Sequence, residues 1–211
     1  MDDRRRGPYA KTARVRRGIV DAALLVFADT GYRATTMKEV AARAGISQRG
    51  LVHHFPTKED VLLAVLATHE ERSAQLLTST ARGDLVEGLV AVARHNLEQP
   101  SMLELGDLLS SEAVASDHPA HEHFTERFAD LRAALSGAFE VLRRRGELRT
   151  TARSEDLAAM YVALIGGLER QWLYDRDAVD VEARLRDFLA LVGLRVEHPD
   201  PAARAARPPG R

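Results

Sequence analysis

Polar side chains that can hydrogen-bond to nucleic-acid bases are concentrated between residues 48 and 54. They are Gln48, Arg49, His53 and His54. Leu51 and Phe55 are four residues apart, so on a helix both can pack inward while the polar groups project away. In a major groove, glutamine pairs with adenine and arginine with guanine. We therefore predict a short DNA-reading helix with Gln48, Arg49 and His53 at the base edges.

The preceding residues contain the signals needed to hold such a helix at an angle. Thr36 and Glu39 have the spacing of a capping box, which starts a first helix at Met37. Gly45 ends that helix, because glycine adopts a positive φ without a Cβ clash. Ser47 is a good cap for the second helix, which Pro56 terminates. Residues 36–55 thus read as a helix-turn-helix. A helical hairpin with a solvated polar face is the competing interpretation.

Further residues around this motif are predicted to contact or position the DNA backbone. Gly50 lies inside the second helix, where it would let the backbone approach a phosphate closely. Lys58 adds positive charge to the amino terminus of the next helix, which already favours phosphate. Arginines at the start of the first helix are also placed for phosphate contact. The phosphate or positioning set is Thr36, Lys38, Ser47, Gly50, His54 and Lys58, with Arg14, Arg16 and Arg17 on the first helix.

The charge distribution supports a polyanionic partner for the amino-terminal part of the chain. The whole chain has a net charge of −1, but residues 1–58 hold 12 Lys and Arg against 5 Asp and Glu. The remaining residues hold 18 against 26. The basic excess of +7 therefore coincides with the predicted helix-turn-helix, and the sign reverses beyond it.

The segment from about Lys11 to Glu71 resembles the amino-terminal domain of TetR-family transcriptional regulators. The resemblance rests on the pattern AGIS..GL..HF..KE, and the matching residues are Ala41, Gly45, Ile46, Ser47, Gly50, Leu51, His54, Phe55, Lys58 and Glu59. It implies a homodimeric regulator, with a small-molecule effector cavity in the carboxy-terminal body and a dimer interface made by the last two helices. The chain departs from the family at Val52, where tyrosine is usual. A phenol contact to phosphate is lost there, and Val52 is expected to touch a thymine methyl or to pack inward.

Helical periodicity continues through the rest of the chain, with no convincing strand or internal repeat. We predict an all-α fold of about nine helices. The expected organisation is a disordered basic arm (1–10), a DNA-binding domain (11–75), a ligand-binding and dimerisation domain (76–196) and a disordered tail (197–211).

The apolar side chains of the predicted body serve either as core or as the lining of an effector cavity. The resemblance favours the cavity for part of this set, because the family binds its effectors within these helices. The candidates are Met102, Leu105, Phe124, Phe128, Tyr161 and Trp172. Gly166 and Gly167, in the middle of a helix, allow close helix approach at an interface or beside a cavity.

Other chemistries find little support in the sequence. The chain has no cysteine, which excludes disulfides and thiolate chemistry. No phosphate-binding glycine loop or GxSxG motif is present, so we expect neither an enzyme nor a cofactor. One cluster contains residue types that can bind metal: Asp117, His118, His121 and His123. We interpret it as the polar start of a helix rather than as a metal site. Without a signal peptide or a long apolar run, we expect a soluble cytoplasmic protein.

The sequence therefore predicts a ligand-responsive repressor that binds a pseudo-palindromic DNA operator as a homodimer. An activator, or a regulator without an effector, is the first alternative. A helical ligand-binding protein with a vestigial DNA-binding head is the second.

Overall fold

The computed structural model describes residues 8–80 and 84–196 of the chain, and the side chains of residues 12–77 and 84–196. These residues form nine α-helices and no strand, which confirms the predicted all-α fold. The helices are α1 (Pro8–Thr30), α2 (Met37–Arg43), α3 (Gln48–His54), α4 (Lys58–Thr80), α5 (Leu85–Leu97), α6 (Pro100–Glu112), α7 (His121–Arg144), α8 (Ser154–Tyr174) and α9 (Val181–Leu191).

The ends of the chain are only partly described. Helix α1 starts at Pro8, earlier than the predicted Lys11, so the last residues of the expected arm are helical. The remainder of that arm and the expected tail (197–211) lie outside the described residues. None of the described helices is long and apolar enough to cross a membrane.

The described chain divides into two compact units. The first comprises the residues up to Arg72 together with Glu104–His121, and the second comprises Ser73–Leu103 and the residues from Glu122 onward. This division differs from the predicted domains in one segment, because most of α6 and its connection to α7 belong to the first unit. Two contacts tie that segment in: Arg33 Nε lies 3.5 Å from Glu112 Oε1, and the Tyr32 and His118 ring centroids are 6.4 Å apart.

In the first unit, α1 packs on α2 and α2 packs on α3. The apolar faces of these helices and of α4 are removed from solvent, which is the main favourable term for holding short helices in place. The largest fully buried side chains of this unit are Ile19, Phe27, Leu51, Phe55, Leu62, Leu66 and Leu109.

The turn between α2 and α3 is made by backbone hydrogen bonds. Gly45 has a φ of 68°, the left-handed conformation that glycine adopts without steric cost. The Ile46 N–H donates to the Ala41 carbonyl at 3.0 Å, and the Gly45 N–H donates to the Ala42 carbonyl at 3.2 Å. This pair of bonds is a Schellman motif, so it both ends α2 and sets the direction in which the chain enters α3.

The second unit is built around a hydrophobic core shared by α5, α7, α8 and α9. At its edge, the buried guanidinium of Arg186 on α9 donates to both carboxylate oxygens of Glu87 on α5, at 2.6 and 3.1 Å. It also donates to Glu182 at 3.3 Å. The bond from Arg186 lowers the pKa of the Glu87 carboxyl. This charge-assisted pair joins α5 to α9 and satisfies an arginine that would otherwise be buried without a partner.

Candidate nucleic-acid interface

Helix α3 presents its polar side chains to solvent, whereas Leu51 and the following Phe55 face the interior. Gln48, Arg49 and His53 are exposed. Leu51 and Phe55 are 0% and 2% exposed. The helix is therefore anchored along one side while its other side is free to enter a groove. The three base-edge candidates lie together on this short helix.

Val52 also lies on the solvent side of α3. Its exposed fraction is 43%, so the expectation that it packs inward is wrong. The reason is that Leu51 and Phe55 already occupy the inward face of α3. The other expectation, contact with a thymine methyl, remains a prediction.

Ser47 and Gly50, at the amino terminus of α3, hydrogen-bond to each other. The Gly50 N–H donates to Ser47 Oγ at 3.1 Å, which is the predicted cap. A Cβ on Gly50 would lie only 3.3 Å from that same oxygen. Glycine at this position therefore leaves room for the cap as well as for a closely approaching phosphate, and the phosphate contact remains a prediction.

The predicted capping box at the start of α2 is present. The Glu39 N–H donates to Thr36 Oγ1 at 3.3 Å, and the Thr36 N–H donates to Glu39 Oε2 at 2.7 Å. The bond from the Thr36 backbone lowers the pKa of the Glu39 carboxyl. Because the Thr36 hydroxyl also donates to Glu39 at 2.8 Å, Thr36 mainly positions α2. Lys38, in the first turn of α2, is exposed.

Lys58 has a different environment from the one expected of a phosphate contact. Its ammonium donates to the carbonyls of Tyr32, Arg33 and Thr35 at 3.0, 3.2 and 3.0 Å. It also lies 4.5 Å from the centroid of the Tyr32 ring. An ammonium has three N–H donors, and these three carbonyls use them all. We therefore revise its expected role: in this structure Lys58 ties the start of α4 to the connection between α1 and α2.

Arg16 has a positioning role that the sequence did not reveal. Its guanidinium donates to the carbonyl oxygen of His54, the last residue of α3, at 2.5 Å. The same group lies 4.0 Å from the centroid of the Phe55 ring. Arg16 thus holds the carboxyl end of α3, and the phosphate contact expected of it alongside Arg14 and Arg17 remains a prediction. No sequence pattern connects it to a residue 38 positions away.

His54 is half-buried at this end of α3, in contrast to the exposed His53. The two imidazole centroids are 5.4 Å apart and the ring planes are inclined at 68°, an edge-to-face arrangement. The His54 ring thus packs against the His53 ring, and the His54 carbonyl accepts the hydrogen bond from Arg16. This placement agrees with a positioning or phosphate contact better than with base reading.

The six predicted effector-lining residues do not share one environment. Met102, Leu105, Phe124 and Tyr161 are buried, Trp172 is half-buried and Phe128 is 37% exposed. Leu105 belongs to the first unit, whereas the other five belong to the second. Burial of this kind is the ordinary environment of core side chains, and the role of these residues in effector binding remains a prediction.

The histidine cluster has hydrogen-bond partners within the chain. The Ala120 N–H donates to His118 Nδ1 at 3.2 Å, and His121 Nδ1 lies 2.8 Å from the Ala113 carbonyl oxygen. Within residues 8–80 and 84–196, no group of three or more histidine or carboxylate side chains is arranged to hold a metal ion. These histidines stabilise the connection between α6 and α7.

Comparisons with known proteins agree with this geometry. Residues 19–65 match the family model for bacterial regulatory proteins of the tetR family. The chain is 30% identical to the transcriptional activator FasR of Mycolicibacterium smegmatis, over 80% of this chain and 77% of that protein. It is 26% identical to the transcriptional repressor BepR of Brucella suis, over 82% of this chain and 87% of that protein.

Solved structures show the same fold. The complex of SmeT with triclosan superposes with a TM-score of 0.73 at 24% identity, covering 89% of this chain and 99% of that one. Salmonella enterica GusR superposes with a TM-score of 0.69 at 24% identity, covering 84% of this chain and 95% of that one. With relatives of this identity over most of its length, and with an exposed α3 on a helix-turn-helix, the chain belongs to the TetR family of bacterial transcriptional regulators.

Proposed function

We propose that this DNA-binding transcriptional regulator is a repressor that binds a pseudo-palindromic operator as a homodimer and responds to a small molecule. The observation that carries the proposal is α3, whose apolar side is fully buried while Gln48, Arg49 and His53 are exposed. Two such helices related by a two-fold axis can enter major grooves one helical turn apart, about 34–36 Å along the DNA.

The side chains of the first unit divide into base-reading and positioning groups. Gln48, Arg49 and His53 are the base-edge contacts, with Val52 against a thymine methyl. Positioning or phosphate contacts fix the register on the duplex without reading sequence. We assign these to Lys38, Thr36, Ser47, Gly50 and His54. Lys58 and Arg16 act indirectly, because they stabilise the helices that carry these contact residues.

Exposed apolar side chains on α8 and α9 support the proposed homodimer. Met160, Tyr174 and Leu191 are 53%, 89% and 85% exposed, and α8 packs against α9 within the second unit. Gly166 and Gly167 are exposed, and a Cβ on either would meet nothing within 4 Å. These glycines leave a shallow place on α8 where a second copy can approach closely. We propose that these side chains contribute to one association surface, since contiguous exposed apolar patches typically mark such surfaces.

The response to a small molecule is proposed from the family and from the triclosan complex of SmeT. A ligand can shift the DNA-binding equilibrium only if it binds the DNA-competent and incompetent states with different affinity. Such coupling is typically worth about 1–3 kcal/mol. A small-molecule site in the second unit would act in this way if its occupation favoured a wrong spacing of the two α3 helices.

An activator is the second candidate function, because FasR is a transcriptional activator. Comparing transcription of the target promoter with and without the protein distinguishes the two. Either function acts through binding alone, and we propose no catalytic activity and no cofactor. Since the proposed partner is bacterial chromosomal DNA, the proposed location is the cytoplasm.

Selection of bound fragments from random and genomic DNA by the purified protein tests the proposed function. We expect an inverted repeat, because a two-fold dimer presents two identical α3 helices. A single unrepeated half-site would contradict the homodimer. If a folded protein recovered no sequence above background, the ligand-binding alternative with a vestigial head would replace the proposal.

Arg49 and Lys38 should affect DNA binding in different ways. Arg49→Ala should cost about 1–3 kcal/mol on the selected operator and relax the preference at one base position. Lys38→Ala should weaken binding to operator and random DNA alike, and should lower the salt slope by about 1. Fluorescence anisotropy titrations at several salt concentrations measure both effects. Equal losses on the two DNAs for both variants would exclude base reading by Arg49.

Arg16 and Arg17 provide a matched test of positioning. Both are exposed on α1, but only Arg16 contacts the end of α3. Arg16→Gln should lower operator affinity by about 1 kcal/mol or more, the size of one charge-assisted hydrogen bond at an exposed site, and should change operator preference as α3 shifts. Arg17→Gln should only weaken binding uniformly. Identical binding profiles for the two variants would show that Arg16 acts as another phosphate contact.

Leu191 and Val114 test the proposed dimer face. Both are strongly exposed apolar residues, at 85% and 79%, but only Leu191 lies on α9. Leu191→Arg should raise the dimer dissociation constant at least about tenfold, because a charge would be desolvated at the interface. Val114→Arg should leave it unchanged. Analytical ultracentrifugation measures both, and a dimer unaffected by Leu191→Arg would place the interface elsewhere.

A further inference from the structure

The second unit contains a cavity of about 840 Å³ at one end of its helices. Its walls come from the start of α5, the end of α7, the connection after α7 and the residues that follow α9. None of the six residues predicted to bind the effector lines it. Small-molecule sites typically have volumes of about 300–1,000 Å³, so the cavity is large enough for one ligand.

Three arginines line this cavity without a carboxylate partner. Arg145, Arg149 and Arg195 are all exposed, and none has an ion pair among the described residues. Five other described arginines of this unit do have a carboxylate partner. The paired arginines are Arg94, Arg143, Arg153, Arg184 and Arg186. The cavity therefore collects unpaired positive charge in the half of the chain that is acidic overall.

The two carboxylates of the lining offset only part of this charge. Asp84 accepts a hydrogen bond from the Val86 N–H at 2.8 Å and is thus the amino-terminal cap of α5. Glu147 is the other carboxylate of the lining and is exposed. Three guanidinium groups against two carboxylates leave an excess of one positive charge. An anionic ligand would meet favourable electrostatics here, and a cationic one would not.

The rest of the wall is apolar. Leu85, Val141, Leu142 and Leu194 all line the cavity, and Val141 is 37% exposed there. A partly exposed aliphatic surface in the same cavity as unpaired guanidinium groups suits a ligand with one charged end and one apolar part. Burial of that apolar part would contribute about 25 cal/mol per Å² of surface removed from water.

A close backbone contact holds two of the walls together. Gly193 has a φ of 90°, and a Cβ at this position would lie 2.7 Å from Arg149 Cβ and 2.9 Å from its backbone nitrogen. Only glycine allows the end of α9 to approach the connection after α7 so closely. This contact keeps the backbones that carry Arg149 and Arg195 at neighbouring parts of the rim.

We propose that this arginine-lined cavity is a binding site for a single amphiphilic anion, a molecule with an apolar chain and a carboxylate or phosphate group. The guanidinium groups of Arg145, Arg149 and Arg195 receive the anionic oxygens, for which their planar donors are well matched. The aliphatic wall receives the chain. The site is independent of the residues proposed to bind DNA, so its test does not depend on the proposed regulatory function.

Decyl phosphate and 1-decanol are suitable probes, since they share the same chain and differ in charge. Isothermal titration calorimetry with the full-length protein should show saturable binding of about one decyl phosphate per chain. Binding of 1-decanol should be at least about tenfold weaker, because charge-assisted hydrogen bonds are lost. Equal binding of the two would overturn the proposal, as would the absence of saturable decyl phosphate binding.

Matched double variants test the arginines themselves. Arg145→Gln with Arg195→Gln should weaken decyl phosphate binding at least about tenfold. Arg132→Gln with Arg144→Gln removes the same charge from exposed positions on α7 outside the cavity lining, and should change affinity less than about twofold. Equal losses in the two double variants would show only a general effect of net charge and would refute the site.

A cavity-filling variant provides an independent check. Ala138 lines the cavity, so Ala138→Trp should abolish decyl phosphate binding while circular dichroism shows an unchanged helical content. Operator affinity without the probe should remain that of the wild type in all these variants. Undiminished decyl phosphate binding by folded Ala138→Trp would place the bound probe elsewhere on the protein.

Discussion

The geometry of the DNA-binding surface depends on the backbone turn at Gly45. Its two hydrogen bonds end α2 and fix the direction of α3, so the residues that follow can bury Leu51 and Phe55. Burial of these two side chains then determines which side of α3 faces solvent. The exposure of Gln48, Arg49 and His53 is thus a consequence of one left-handed glycine and two apolar residues.

Basic side chains of the first unit stabilise the DNA-binding surface in addition to giving it positive charge. Arg16 donates to the carbonyl at the end of α3, and Lys58 donates to three carbonyls before α2. These carbonyls lie at the ends of helices or in a connection, where the backbone lacks its own donors. The basic excess of residues 1–58 therefore includes charges that hold the motif together. The number of lysines and arginines therefore does not by itself give the number of phosphate contacts.

In the second unit, the structure distinguishes core side chains from cavity-lining side chains, which the sequence could not do. Periodic apolar residues on a helix identify a side that avoids water, but not whether that side meets other helices or a ligand. In this chain Phe124 and Tyr161 are buried, and the cavity forms where helices end. Gly166 and Gly167 likewise turned out to face outward, which favours an association surface over an internal cavity.

The sequence by itself determined the local features of the protein. The capping box at Thr36, the turn at Gly45, the cap at Ser47 and the nine helices follow from residues within a few positions of one another. Backbone geometry relates such neighbours in the same way in every helix, so their spacing can be read directly. The family resemblance added the expectation of a homodimer and an effector.

Only the tertiary structure decided which distant residues meet. Arg16 and His54 are 38 positions apart, and Arg186 and Glu87 are 99 positions apart. The placement of residues 104–121 with the first unit and the gathering of three unpaired arginines around one cavity are of the same kind. These contacts depend on how whole helix faces pack, and many pairs of faces are equally apolar, so no local spacing specifies them.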